Sequence, residues 1–181
     1  VYKRQGIDYG AVINKKSNTG EDWDLIASTV PNHEKSLMAH IEDQLPYLLS
    51  SQREHFIARY FLEAIEPSGW LGKSLDEIHI ATCVDYVDLE NVLMKLQGAE
   101  PTGLFARNLS ECLRLQISEK GLMCNGLSVL LDNLALLGKG DLKSLMRKID
   151  CDERKIKDFL VTIRSVDPKP GSEFLAETSN I

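Results

Sequence analysis

The stretch Leu96-Gln97-Gly98-Ala99-Glu100-Pro101-Thr102-Gly103-Leu104-Phe105-Ala106-Arg107-Asn108-Leu109-Ser110-Glu111-Cys112-Leu113-Arg114-Leu115-Gln116 decides the fold. It reads as the end of one helix, a tight turn and the start of another. Pro101 sets φ at the second turn position and Gly103 relieves the fourth, as a type I turn prefers. Small Ala106 permits close approach of the new helix to a neighbour. That helix is expected over 105–120, with Leu109, Cys112, Leu113, Gln116 and Ile117 on one side and Gly121 as its stop. Arg107 and Glu111 stand four apart and can pair, although base before acid is the less favourable order on a helix.

On the N-terminal side the apolar residues recur at helical spacing. Leu37, Ile41, Leu45 and Leu48 form one stripe, and Phe56, Ile57, Tyr60, Phe61, Ala64 and Ile65 another, which predicts two amphipathic helices. Ser51 with Glu54, and Ser74 with Glu77, fit capping boxes, in which the serine oxygen accepts a backbone N–H that the first turn leaves unpaired. The segment Glu66-Pro67-Ser68-Gly69 is turn chemistry, and Trp70 and Leu71 after it read as an apolar plug from a loop into the core. A short helix over 75–81 and a longer one over 86–97 follow, the second carrying Leu89, Val92, Leu93 and Leu96 as its buried stripe. On the C-terminal side, helices are expected over 127–137, closed by Gly138, and over 142–149 and 153–166. No window alternates with period two for long enough to predict a strand, so the fold class is all-α: two small helical bundles, or lobes, over 35–103 and 104–174. Residues 1–34 have no sustained period and read as a flexible tail in which only Trp23, Leu25 and Ile26 look able to dock, and 175–181 as the start of a linker.

Sliding the sequence by 67 positions sets Leu75 on Leu142, Ile78 on Leu145, Leu89 on Ile156, Leu93 on Leu160, and Glu100-Pro101 on Asp167-Pro168. Any two amphipathic helices align at period 3.6, so the apolar matches alone decide nothing. The shared acid-proline exit favours a true repeat of a helix-turn-helix unit.

At 181 residues and 43% hydrophobic content, the chain can bury a real core. The net charge of −6 is unevenly spread: residues 36–98 hold four Lys/Arg against ten Asp/Glu, and residues 99–170 hold twelve against ten. Phosphate neutralisation supplies most non-specific affinity for nucleic acid, so the acidic first half suits a basic patch on another protein better than DNA. Nothing resembles a membrane span or a signal peptide, so a cytoplasmic, soluble protein is expected. Cys83, Cys112, Cys124 and Cys151 make neither a C-x-x-C pair nor a disulfide scaffold, and read as reduced thiols.

The deciding run resembles the central region of sigma-54 class sigma factors. Their pattern here is leucine-glutamine, a proline-x-glycine turn, alanine-arginine, leucine, glutamate-cysteine-leucine and glutamine. Leu96, Gln97, Pro101, Gly103, Ala106, Arg107, Leu109, Glu111, Cys112, Leu113 and Gln116 all match it. Leu37 to Leu45, with Gln44-Leu45, is similar to the family's opening helix, Gly69-Trp70-Leu71 stands for its glycine-tyrosine-leucine turn, and Val166-Asp167-Pro168-Lys169-Pro170-Gly171 for its exit, with Phe174 following. Glu100 replaces the usual aspartate, Trp70 the tyrosine, and Phe105 a common glycine.

The resemblance covers about residues 35–174. It implies a non-catalytic module that docks on core RNA polymerase, its first lobe on the flap of the β subunit. Promoter DNA and an ATP-hydrolysing activator would be met only through the full-length protein. The family's glutamine-rich N-terminus has no counterpart before Trp23, and its promoter-reading domain would lie after Ile181.

Other candidates are weaker. His79 and Cys83 are four apart, but two ligands do not make a structural zinc site, which wants four. No phosphate loop, H-E-x-x-H or cysteine-histidine catalytic spacing occurs, so neither a metal, a cofactor nor catalysis is expected. Arg154, Lys155 and Lys157 are the candidate nucleic-acid contacts, in keeping with an alternative reading as a helix-turn-helix DNA-binding regulator. Interleaved Asp152, Glu153 and Asp158 favour a solvated charged face instead.

Overall fold

A computed structural model describes residues 36–174, which fall within one compact unit. The tail expected over 1–34, with Trp23, Leu25 and Ile26, and the linker expected over 175–181 lie outside the described residues. Among the described residues the structure is helical, and its β structure is a single antiparallel bridge between Ile65 and Leu71.

Helix α1, Leu37–Glu42, starts where Ser36 Oγ accepts the Ala39 N–H at 3.3 Å. The single helix expected through Leu48 is broken, and α2 restarts over Leu45–Leu48. Pro46 explains the break, since it offers no N–H to the preceding turn and its ring would strike the carbonyl four residues back. Helix α3, Gln52–Ala64, and α4, Leu75–Thr82, each open on the expected capping box, Ser51 with Glu54 and Ser74 with Glu77. Helix α5 is Tyr86–Leu96.

Helix α6, Leu109–Glu119, begins four residues later than its periodicity suggested. The reason lies in the backbone: Phe105 is left-handed, at φ 59°, which no α-helix accommodates, and Asn108 supplies the cap by accepting the Glu111 N–H at 2.9 Å. The helix expected over 127–137 is two, α7, Asn125–Asp132, and α8, Leu134–Gly138. At the break, Asn133 donates its amide to the Val129 carbonyl at 2.8 Å, side chain competing with backbone for a helical acceptor, and its Oδ1 accepts from Lys148 Nζ. Helices α9, Leu142–Ile149, and α10, Glu153–Arg164, complete the set, followed by a 3₁₀ turn, Pro170–Phe174.

The buried side chains form two clusters. One gathers Ile41, Ile57, Phe61, Leu89, Leu96 and their neighbours, together with Leu104 and Phe105 from the elbow. The other gathers Leu113, Ile117, Leu130, Leu145, Ile156 and theirs. Each such side chain, fully withdrawn from water, favours the fold by about 1.5–3 kcal/mol.

The 67-residue register holds at the level of elements. Leu75–Thr82 maps onto Leu142–Ile149 end to end, and the cap Asp85 onto the cap Asp152. Even the left-handed turn residues coincide, Cys83 at φ 53° and Asp150 at φ 55°. A chance match of amphipathic helices would not reproduce a non-glycine left-handed residue at the same place.

Candidate functional site

The three motif segments, far apart in sequence, meet in one joint. Within the loop after α3, Gly69 donates its N–H to the Glu66 carbonyl and Glu66 its own to Trp70, both at 2.8 Å. The loop is stitched to the elbow by Leu71 N–H to the Ala106 carbonyl, 2.9 Å, and Phe105 N–H to the Gly69 carbonyl, 2.8 Å. It is stitched to the exit segment by Gly171 N–H to the Ser68 carbonyl, 3.0 Å, and by the Trp70 indole Nε1–H to the Pro168 carbonyl, 2.9 Å. Gly69 stands at φ 90°, and a Cβ there would lie 2.6 Å from Leu104 Cδ2, so both conformation and space require glycine. Leu71 is the plug, buried in the first cluster, whereas Trp70 is half-buried and serves as a strut. Ala106 is buried in the elbow rather than on the helix, and its carbonyl is committed to the loop. The Glu100–Pro101 peptide is cis, and Gly103, at φ 103°, packs against Gln116 and Cys112.

Two glutamines clamp the two acid-proline exits in the same way. Gln44 accepts the Glu100 N–H and donates to the Glu100 carbonyl, both at 2.8 Å, while His40, one turn earlier, brings Nε2 to the same carbonyl at 3.0 Å. Gln116 accepts the Asp167 N–H at 2.9 Å and donates to its carbonyl, while Cys112, one turn earlier, lies 3.8 Å from that carbonyl. The His40 ring also meets Phe174, centroids 5.0 Å apart, tying the exit to α1. Gln116 is buried although Asp167 itself is exposed, so its loss removes both hydrogen bonds to the Asp167 backbone and leaves a gap beneath it. Gln116→Ala is expected to destabilise the chain by about 2–3 kcal/mol, measured by urea unfolding. Gln116→Glu should be worse, because one carboxylate oxygen would then face the Asp167 carbonyl.

Arg107 and Glu111 pair, but not along a helix, since Arg107 precedes the cap. Its guanidinium forks onto the carboxylate, Nη2 at 2.7 Å and Nε at 3.0 Å, and its backbone N–H donates to the same group at 2.7 Å. Burial pushes the Glu111 carboxyl up, and is outweighed by the hydrogen bonds from the Arg107 side chain and backbone and from Gln97, which leave it below its usual 4.5. Gln97 also donates to the Phe105 carbonyl at 3.4 Å, tying the end of α5 to the elbow. A depressed carboxyl favours the folded state above the unfolded chain's value, and that advantage fades as the pH falls through the folded one. The stability gap between wild type and Glu111→Gln should therefore be full at neutral pH and shrink at about pH 3, as denaturation at the two pH values would show.

Arg154, Lys155 and Lys157 lie on the exposed side of α10, apart from the joint, with Lys157 paired to Glu153 at 2.8 Å. His79 presents Nδ1 to the Val84 carbonyl at 2.7 Å and stacks on Tyr86, and among the described residues no group of three or more His, Cys, Asp or Glu could hold a metal ion. Of the residues that complete the joint, Gln44, Cys112 and Phe174 were matched to the family pattern without a role at the site, and His40 was not singled out from sequence. Their signal was polar or aromatic side chains at four-residue spacing on, or just beyond, an apolar stripe.

Residues 27–181 match the family described as sigma-54 factor, core binding domain. The chain belongs to that family. This chain is 43% identical over 155 residues to the RNA polymerase sigma-54 factor of Rhodobacter capsulatus, covering 86% of this chain and 36% of that one. It is 40% identical over 171 residues to that of Cereibacter sphaeroides, covering 94% and 39%, and 36% identical over 140 residues to that of Rhizobium meliloti, covering 77% and 27%. The chain thus spans well under half the length of these curated relatives. The left-handed φ at Phe105 is a demand that glycine would meet without strain, and here the ring offsets the strain by filling the first core cluster.

Proposed function

We propose that this chain docks on core RNA polymerase as the non-catalytic polymerase-binding module of a sigma-54 factor, acting in the cytoplasm during transcription initiation. The observation that carries this reading is the core-binding-domain match over residues 27–181. The charge asymmetry supports it, because an acidic first half suits a basic protein surface and repels a phosphate backbone. The first lobe, 35–103, seats on the flap of the β subunit, and the second, 104–174, is fixed to it through the joint. Promoter DNA and the ATP-hydrolysing activator are reached through other parts of the full-length factor. The motif residues from Gly69 to Gln116 act mainly by holding the joint rigid, with Arg107, half-exposed, the one among them that offers most of its side chain to a partner.

The test is capture of the chain by immobilised core polymerase at moderate salt, alongside titration with plain duplex DNA. Retention on polymerase without duplex binding is expected. Failure on polymerase together with tight, steeply salt-dependent duplex binding would replace this reading with a helix-turn-helix regulator acting through Arg154, Lys155 and Lys157. Among the described residues no helix is long and apolar enough to cross a membrane.

A further inference from the structure

The joint consumes the motif residues internally, which leaves open what faces the partner. Helix α5 buries Leu89, Val92, Leu93 and Leu96, and leaves Val87 70% and Met94 64% exposed. Seven residues apart, these two stand one above the other on the outer face, with Glu90 and Asn91 between them. The Met94 end of this stripe opens on a cleft of about 190 Å³ lined by Glu90, Leu93, Met94, Gln97 and Arg107, so the stripe ends against the rigid elbow. Two of the four cations in residues 36–98 are already matched, Arg53 with Asp88 and Lys95 with Glu54 at 2.6 Å, so the lobe that carries the stripe keeps a surplus of acid, with Glu90 between Val87 and Met94 and Arg107 sharing its cleft.

We infer that the outer stripe of α5, Val87 to Met94 with the Arg107 cleft at its end, is the surface that seats on core RNA polymerase. Its partner patch is apolar at the centre and basic at the rim, and presents one side chain to the cleft. The inference rests on the docking reading above and adds to it the face that does the docking. An apolar stripe of this kind contributes affinity when water is expelled from both sides, while the acidic rim orients the approach and rejects acidic surfaces. Val161 on α10, 67% exposed, is as apolar and as open but stands among alternating charges, and serves as the control.

The experiment measures capture of the full 181-residue chain by core polymerase for wild type, Val87→Ser/Met94→Ser, Met94→Glu and Val161→Ser, each first shown by thermal melting to fold like wild type. The double variant is expected to bind at least about tenfold more weakly and Val161→Ser like wild type. Met94→Glu, which keeps the rim acidic but puts a charge in the apolar centre, should also weaken binding, and more so at high salt. If wild type binds and the double variant binds equally well, or if Val161→Ser loses as much, the α5 face is not the seat, although the docking reading stands. If wild type itself is not captured, the docking reading falls and this inference with it.

Discussion

Gly171→Ala is expected to destabilise the chain by about 3 kcal/mol, a large loss for a single added methyl group. A Cβ at Gly171 would stand 2.5 Å from the Gly69 nitrogen and 2.6 Å from the Pro67 carbonyl oxygen. Both are backbone atoms of a loop held at its other edge by Leu71 and Phe105, so neither can retreat as a flexible side chain would. The exit segment would have to lift away, breaking the Gly171 to Ser68 bond and pulling Pro168 from the Trp70 indole. Equilibrium unfolding in urea reads the loss as a lower midpoint at unchanged slope. Gly69→Ala meets the same contact from the other side, with Gly171 N at 2.9 Å, but also carries its own left-handed strain and a 2.6 Å clash with Leu104, so the double variant should lose less than the sum of the two singles by the part they share. Full additivity of the two would show that the segments do not share one close approach.

The second large effect is at Phe105. Its ring is wholly buried in the first cluster, so Phe105→Ala should lose about 3–5 kcal/mol, removing the ring and leaving a void in the core. Its backbone is left-handed, which costs an L side chain about 1–2 kcal/mol and glycine nothing. Phe105→Gly should therefore lose about 1 kcal/mol less than Phe105→Ala, reversing the usual order in which glycine is the more damaging of the two. Urea denaturation of the three proteins decides it. An alanine variant more stable than the glycine one would mean that the elbow relaxes out of the left-handed region when the ring is gone.

The helices and their caps were legible because they rest on short-range chemistry. Ser51 with Glu54 and Ser74 with Glu77 are local enough to be read as letters, and the stripe of α5 needs only the period. The breaks were less legible. Pro46 stood inside an apolar stripe that seemed to continue through it, and Asn133 inside another, so periodicity outvoted the local donor and acceptor arithmetic that broke both helices. The elbow was recognisable as a sequence but not as a shape. Nothing in Phe105 announces a left-handed backbone, since the loop bonds that hold it there come from Gly69, thirty-six positions earlier. The roles of Gln44 and Gln116 were hidden for the same reason, each being defined by a carbonyl more than fifty residues away. The exposed face of α5 was implicit in its buried one, yet no motif marked it.

The sulfur beneath the second clamp makes the joint observable in solution. Cys112 is wholly enclosed against the Asp167 and Pro168 carbonyls and its thiol is pushed up by burial, whereas Cys83 and Cys124 lie in the open. A thiol reagent added to the native chain should consume the open cysteines at once and reach Cys112 only during excursions that part α6 from the exit segment. The slow phase of labelling thus times the opening of the chain's own seam.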